Sequence, residues 1–305
     1  MLSTFYLAKR TYLDIFKTAM FWVALVLTCF ICFAMLFWGY REVVKYQRDY
    51  RPDYRYNYGG EEEYGYGPGG PGFDPTYFVS PETQIMYTTF NFTIAFTNLF
   101  GVFVMLGLMG KEIERKTIES LLARPISRGQ IYFGKLIAGW AAIATFLLIV
   151  MLWSQLVMAI SGMGMQGEYV TALSVGVLAP CLIGAITLFL SVWMKGFLAG
   201  LLGVIMASSA GSVGLMLIKI IGAELLKLDF VVTILYKILP PLNVIMKQAT
   251  DKIRPAIWET MLREMDMPFI PSAADGLYSE PWHVAVYLAV VLVLGYLSVF
   301  RREFS

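Results

Sequence analysis

Few residues of this chain have the types and spacing that make or break covalent bonds. Cys29 and Cys32 form a C-x-x-C, but both lie in one hydrophobic run and Cys181 lies in another, with no His or further Cys in position to complete a metal site. They read as small apolar residues. His283, the single histidine, starts the last apolar run without a charged neighbour at helical spacing, so an interfacial place at a helix end suits it better than acid–base work. No G-x-x-x-x-G-K-[ST] occurs, so there is no phosphate-cradling loop and the chain is not expected to hydrolyse ATP alone. No catalytic, cofactor-binding or metal-ligating residue is assigned. What the spacing does offer is a docking device. Segment 111–135, KEIERKTIESLLARPISRGQIYFGK, is the one long charged stretch between two runs that are each long enough to cross a bilayer. Within 117–124, Ile118, Leu121 and Leu122 fall at i, i+3 and i+4, giving a short helix one apolar edge while Glu119 and Arg124 stay wet. Pro125 ends that helix, and Ser127, Arg128 and Gly129 mark a turn before Ile131 opens the next run.

A second set of residues offers polar contacts inside the membrane. A helical wheel over 85–110 places Gln84, Tyr87, Thr88, Asn91 and Asn98 on one stripe. Polar side chains at that depth face protein or water. The stripe either lines a polar route through the membrane or serves as interhelical hydrogen-bonding glue. Asn91-Phe92-Thr93 matches a glycosylation triplet but sits inside a span and is discounted.

The loop resembles the cytoplasmic loop of ABC-2 type permeases, the membrane subunits of ATP-binding cassette transporters, in which a run like E-x-x-x-G-T-[LI]-E-x-L-L-x-x-P-[IV]-S-R-x-x-[IL]-x-x-G-K joins the second and third spans. Glu112, Thr117, Ile118, Glu119, Leu121, Leu122, Pro125, Ile126, Ser127, Arg128, Ile131, Gly134 and Lys135 fit the pattern, and Lys116 stands where the family has glycine. The resemblance implies that this loop carries a coupling helix seated in a groove of a separate ATPase subunit. Glu112, Thr117, Ile118, Glu119, Leu121, Leu122, Pro125 and Arg128 are the implied coupling residues. An ordinary membrane-surface loop helix is the alternative.

The elements that must position these residues follow from composition. With 58% hydrophobic and 15% charged side chains over 305 residues, the chain holds more apolar surface than a soluble domain hides. The expected fold is all-α, a polytopic membrane protein with six transmembrane helices at 19–40, 85–110, 131–160, 170–194, 197–221 and 283–300. Residues 1–18 form an N-terminal interfacial elbow helix, with Leu2, Phe5, Tyr6, Leu13 and Phe16 on one side and Lys9, Arg10, Asp14 and Lys17 mostly elsewhere. Nothing in it reads as a cleaved signal, and the first span is expected to act as its own. Pro180 should kink the fourth span. The fifth carries the small-residue pairs Gly196/Gly200, Ala207/Gly211 and Ala210/Gly214, which favour close helix packing.

Outside the spans, 41–84 is an outer loop whose Tyr-, Gly- and Pro-rich tract has no helix or strand period and suits either a linker or a clasp for a partner. Segment 222–282 carries Lys237 and Pro240-Pro241, which suit re-entrant or surface helices before span six better than a full span, and Ile257, Trp258, Met261, Leu262 and Met265 outline an amphipathic helix. With 111–130 inside as the coupling loop, and the cytoplasmic pieces counted as 1–17, 110–135, 195–196 and 301–305, half of the 24 Lys and Arg fall in them, which puts both termini in the cytoplasm.

These readings converge on the permease subunit of an ATP-binding cassette exporter in a bacterial cell (inner) membrane, expected to work as a homodimer. A separate ABC ATPase subunit would supply ATP and Mg chemistry. Membrane lipid and an envelope protein are further expected partners, and nucleic acid is not one. A membrane scaffold that recruits envelope proteins through its outer loops is an alternative. An ion-coupled carrier is disfavoured, because no ionisable residue falls near the middle of a span.

Overall fold

The computed structural model describes residues 2–42, 44–45, 81–114, 127–208, 242–253 and 281–301. Among them every regular element is helical, as an environment without water requires of a backbone that must satisfy its own hydrogen bonds. In chain order the helices are α1 (Leu2–Phe16), α2 (Ala19–Phe33), α3 (Pro81–Glu114), α4 (Arg128–Ser161), α5 (Gly167–Gly176), α6 (Leu178–Trp193), α7 (Gly196–Ser208), α8 (Leu242–Thr250) and α9 (Pro281–Arg301). A π-helical stretch, Ala34–Gly39, widens the end of α2.

Among the described residues, four stretches are long and apolar enough to cross a membrane, namely Ala19–Glu42, Ile85–Met109, Arg128–Ser161 and Gly167–Trp193. Gly196–Ala207 and Val284–Phe300 are shorter apolar helices. The molecule is an all-α polytopic membrane protein.

Local chemistry sets the boundaries. Ser127 caps α4 by accepting from the Gln130 amide at 3.3 Å, while the Gln130 side chain accepts from the Ser127 amide at 3.0 Å, a reciprocal capping box. The helix therefore begins at Arg128, a turn before the apolar run that starts at Ile131. Gly162, at φ 96°, closes α4 in the left-handed conformation that a side chain disfavours. The fourth span divides at Val177, one turn before Pro180, into α5 and α6. Proline cannot donate to the carbonyl four residues back, which accounts for the interruption of the helix at this place.

α3 is the central element, packed on α6, α7 and α4, while α1 packs along α4 and α9 along α6 and α4. An aromatic knot pins three of these helices: Phe100 of α3 stacks on Phe146 of α4 at 4.3 Å, and Phe21 of α2 meets both edge-on at 5.6 and 6.1 Å. Two tryptophans fasten the bundle through backbone carbonyls, Trp153 to Cys29 and Trp140 to Cys181, each at 2.9 Å. Such bonds matter between membrane helices, whose association gains little from the hydrophobic effect.

α1 has two apolar faces rather than one. Ala8 and Ile15 are buried in the packed face, Tyr12 bonds Thr145 of α4 at 3.0 Å, and Leu7 lies against Gly134. Phe5, Tyr6 and Leu13 are exposed on the other side together with Lys9 and Arg10.

Candidate coupling and translocation sites

Segment 111–130, the expected coupling loop, joins α3 to α4. Glu112 sits in the last turns of α3. Thr117, Ile118, Glu119, Leu121, Leu122 and Pro125 lie outside the described residues, as do 46–80 of the expected outer loop, 209–221 of the expected fifth span and most of 222–282. What is described is how the loop is anchored. Lys135, 2% exposed, reaches from α4 to donate its Nζ proton to the carbonyl of Leu108 on α3 at 2.6 Å. An ammonium so far out of water is costly unless it is bonded, so this bond is a strong tie between the two helices that carry the loop. Arg128, at the loop's exit, donates to the carbonyl of Phe300 in the last turn of α9 at 3.2 Å.

The polar stripe of the second span divides along its length. Gln84, Tyr87, Thr88, Asn91 and Asn98 are all in α3. Tyr87, Thr88 and Asn91 are half-buried, and the Asn91 amide donates to the Tyr87 carbonyl of its own helix at 2.9 Å. Asn98 is 1% exposed, and its Oδ1 has no partner among the described residues. Two asparagines seven residues apart share a helical face, yet they differ in burial. Gly200 of α7 lies against Leu106 and Gly203 against Val102, so the described part of α7 runs antiparallel to α3.

A second polar row on α3 escaped the helical wheel. Thr89, Thr93 and Thr97 follow at intervals of four and are fully buried. The Thr93 hydroxyl lies 3.3 Å from the Cys32 thiol and 3.4 Å from the Tyr169 hydroxyl, so it joins α2, α3 and α5 in one hydrogen-bonded cluster. The four-residue threonine spacing was visible in the sequence, but the asparagines drew the axis of the stripe away from it. Cys32 is thus a small buried residue that also takes part in a polar contact. Cys29 and Cys181 are likewise free thiols. His283 falls in the first turn of α9.

A bundle of apolar helices tied together at the two ends of a charged loop, with its polar groups turned into interhelical contacts, defines a membrane protein of the permease class. The family model for the ABC-2 family transporter protein matches residues 66–223, just over half of the chain, a stretch that contains α3 to α7. The chain belongs to that family. It is accordingly a membrane subunit of an ABC transporter, and membership implies partnership with an ABC ATPase subunit. No curated protein matches it.

Proposed function

We propose that the chain is the membrane-spanning permease of an ATP-driven exporter. Two copies, each with six spans and both termini in the cytoplasm of a bacterial cell, work with two separate ATPase subunits. The ATPases hold ATP and Mg and supply the energy, and their closure pushes the coupling helix at 117–124. The single observation that carries this reading is the tie at the loop's root. Because Lys135 bonds Leu108 across the base of the loop, a push on the loop displaces α3 and α4 together instead of spreading them.

α3 in turn packs on α4, α6 and α7, so its displacement reaches most of the bundle. Packed helices shift between discrete arrangements rather than bending continuously, which is how a small push becomes a large rearrangement. The half-buried Tyr87, Thr88 and Asn91 are the part of the polar stripe that such a rearrangement would present to cargo. On the exposed face of α1, Phe5, Tyr6 and Leu13 beside Lys9 and Arg10 suit a lipid headgroup region.

Co-purification tests the reading. Leu121→Asp places a charge on the apolar docking edge, so the ATPase should be lost while the permease stays in the membrane. Full recovery of the ATPase with this variant would show that the helix docks elsewhere or that the chain acts as a scaffold without it.

A further inference from the structure

The turn of α4 that follows the coupling loop holds α9 as well as α3. α9 runs antiparallel to α4, and three successive contacts tie its C-terminal end to the loop's exit. The Arg128 guanidinium donates to the Phe300 carbonyl at 3.2 Å. Gly129 lets the Tyr296 ring approach so closely that a Cβ at Gly129 would stand 2.6 Å from Tyr296 Cε2. Tyr132, fully buried, lies against Gly295, where an added Cβ would collide with its hydroxyl and stand 2.6 Å from Cζ. From the other side the Trp193 indole of α6 donates to the Ser298 hydroxyl at 2.7 Å. The end of α9 is therefore clamped between the start of α4 and the end of α6.

Each contact has a physical direction. A guanidinium on a carbonyl in the last described turn of a helix meets the negative end of the helix dipole. The two glycines remove the side chains that would hold the backbones apart, so the ring of Tyr132 meets α9 backbone and the ring of Tyr296 meets α4 backbone. Rings packed against backbone leave little room for one helix to slide past the other.

We propose that Arg128 is a positioning residue that locks α9 to the exit of the coupling loop, making the last helix a third arm driven with α3 and α4. The inference rests on the reading of the chain as an ATPase-driven permease. It gives Arg128 a role inside the permease instead of contact with the ATPase, and it gives Gly295 and Tyr132 a role that the loop motif does not assign.

The test uses the full chain with its ATPase in lipid nanodiscs, with Cys29 and Cys181 replaced by Ala and Cys32 by Ser. Spin labels replace Leu148 on α4 and Val290 on α9, both about half exposed. In the parent, the distance between the labels should be the same without nucleotide and after trapping with ATP and vanadate. Arg128→Ala should let that distance change on trapping and lower maximal ATP turnover about tenfold at unchanged KM for ATP, the scale of one lost charge-assisted hydrogen bond. Arg128→Lys, which can still donate to one carbonyl, should restore much of both. Gly295→Ala should reproduce the loosened distance by wedging the helices apart, and Arg128, being at the surface, gives a variant that folds even where Gly295→Ala does not. If the ATPase stays bound while Arg128→Ala keeps a fixed distance and normal turnover, the proposal fails alone. If Arg128→Ala instead sheds the ATPase at a fixed label distance, Arg128 is a direct docking contact and the proposal is wrong. A parent chain that never retains an ATPase overturns the functional reading, and this inference with it.

Discussion

Replacing Gly203 by alanine tests how tightly the fifth apolar helix is built into the bundle. A Cβ at Gly203 would stand 2.7 Å from Thr187 Oγ1 and 2.9 Å from Val102 Cγ1, and each neighbour is fully buried. Neither can give easily. The Thr187 hydroxyl donates to the Ile183 carbonyl at 2.9 Å, so turning it away breaks a buried bond. Val102 is β-branched, and in a helix such a side chain has essentially one rotamer. α7 must then move off α3 and α6 by several tenths of an ångström, an overpacking cost of about 1–3 kcal/mol. Better helix propensity returns at most about 0.5–1 kcal/mol, so a net loss of about 1–2 kcal/mol is expected. Thermal unfolding in detergent reads this directly. Gly107→Ala is the control, because a Cβ there meets nothing within 4 Å. Gly203 lies against Val102, about three turns from the end of α3 at Glu114, so the ATPase should still co-purify. A Gly203→Ala chain that melts at or above the Gly107→Ala control would show that α7 is not pressed against α3 and α6 as described.

In a double-mutant cycle, Thr93→Val and Tyr169→Phe should couple by about 0.6 kcal/mol, the average for hydrogen bonds between membrane helices; strict additivity of the two melting shifts would remove the Thr93 cluster as an interhelical tie. Asn98→Leu should leave substrate-stimulated ATP turnover near the parent value, because Asn98 is 1% exposed, whereas Asn91→Leu should reduce that turnover. The reverse pattern would place the route at Asn98. In a chain freed of Cys29, Cys32 and Cys181, a cysteine at Ser305 should be protected from an impermeant thiol reagent in intact cells while one within 46–80 reacts. Labelling of the terminal probe would overturn the placement of both termini in the cytoplasm.

The sequence by itself determined the class of this protein. An apolar run about 20 residues long has few destinations other than a bilayer, so the helical, polytopic character followed from composition, and proline chemistry foretold the break between α5 and α6. The turn at Ser127, Arg128 and Gly129 could be read because its message is local, and the structure shows Ser127 capping α4 there. Tertiary structure alone decided which polar residues are buried and what they join. Asn91 and Asn98 occupy one helical face, and only the packing of the bundle makes one half-buried and the other fully buried. Thr93 gains its role from Cys32 and Tyr169, which are 61 and 76 residues away along the chain. The apolar side of α1 was drawn through Phe5, Tyr6 and Leu13, which are exposed, while Ala8 and Ile15 make the packed face. In a chain this apolar, hydrophobicity does not separate the face that meets lipid from the face that meets protein, since lipid tails are as apolar as leucine. Arg128 meets α9 across 172 residues of sequence. Such contacts depend on which backbones approach closely, and that is settled by glycines, rings and buried hydrogen bonds acting between helices.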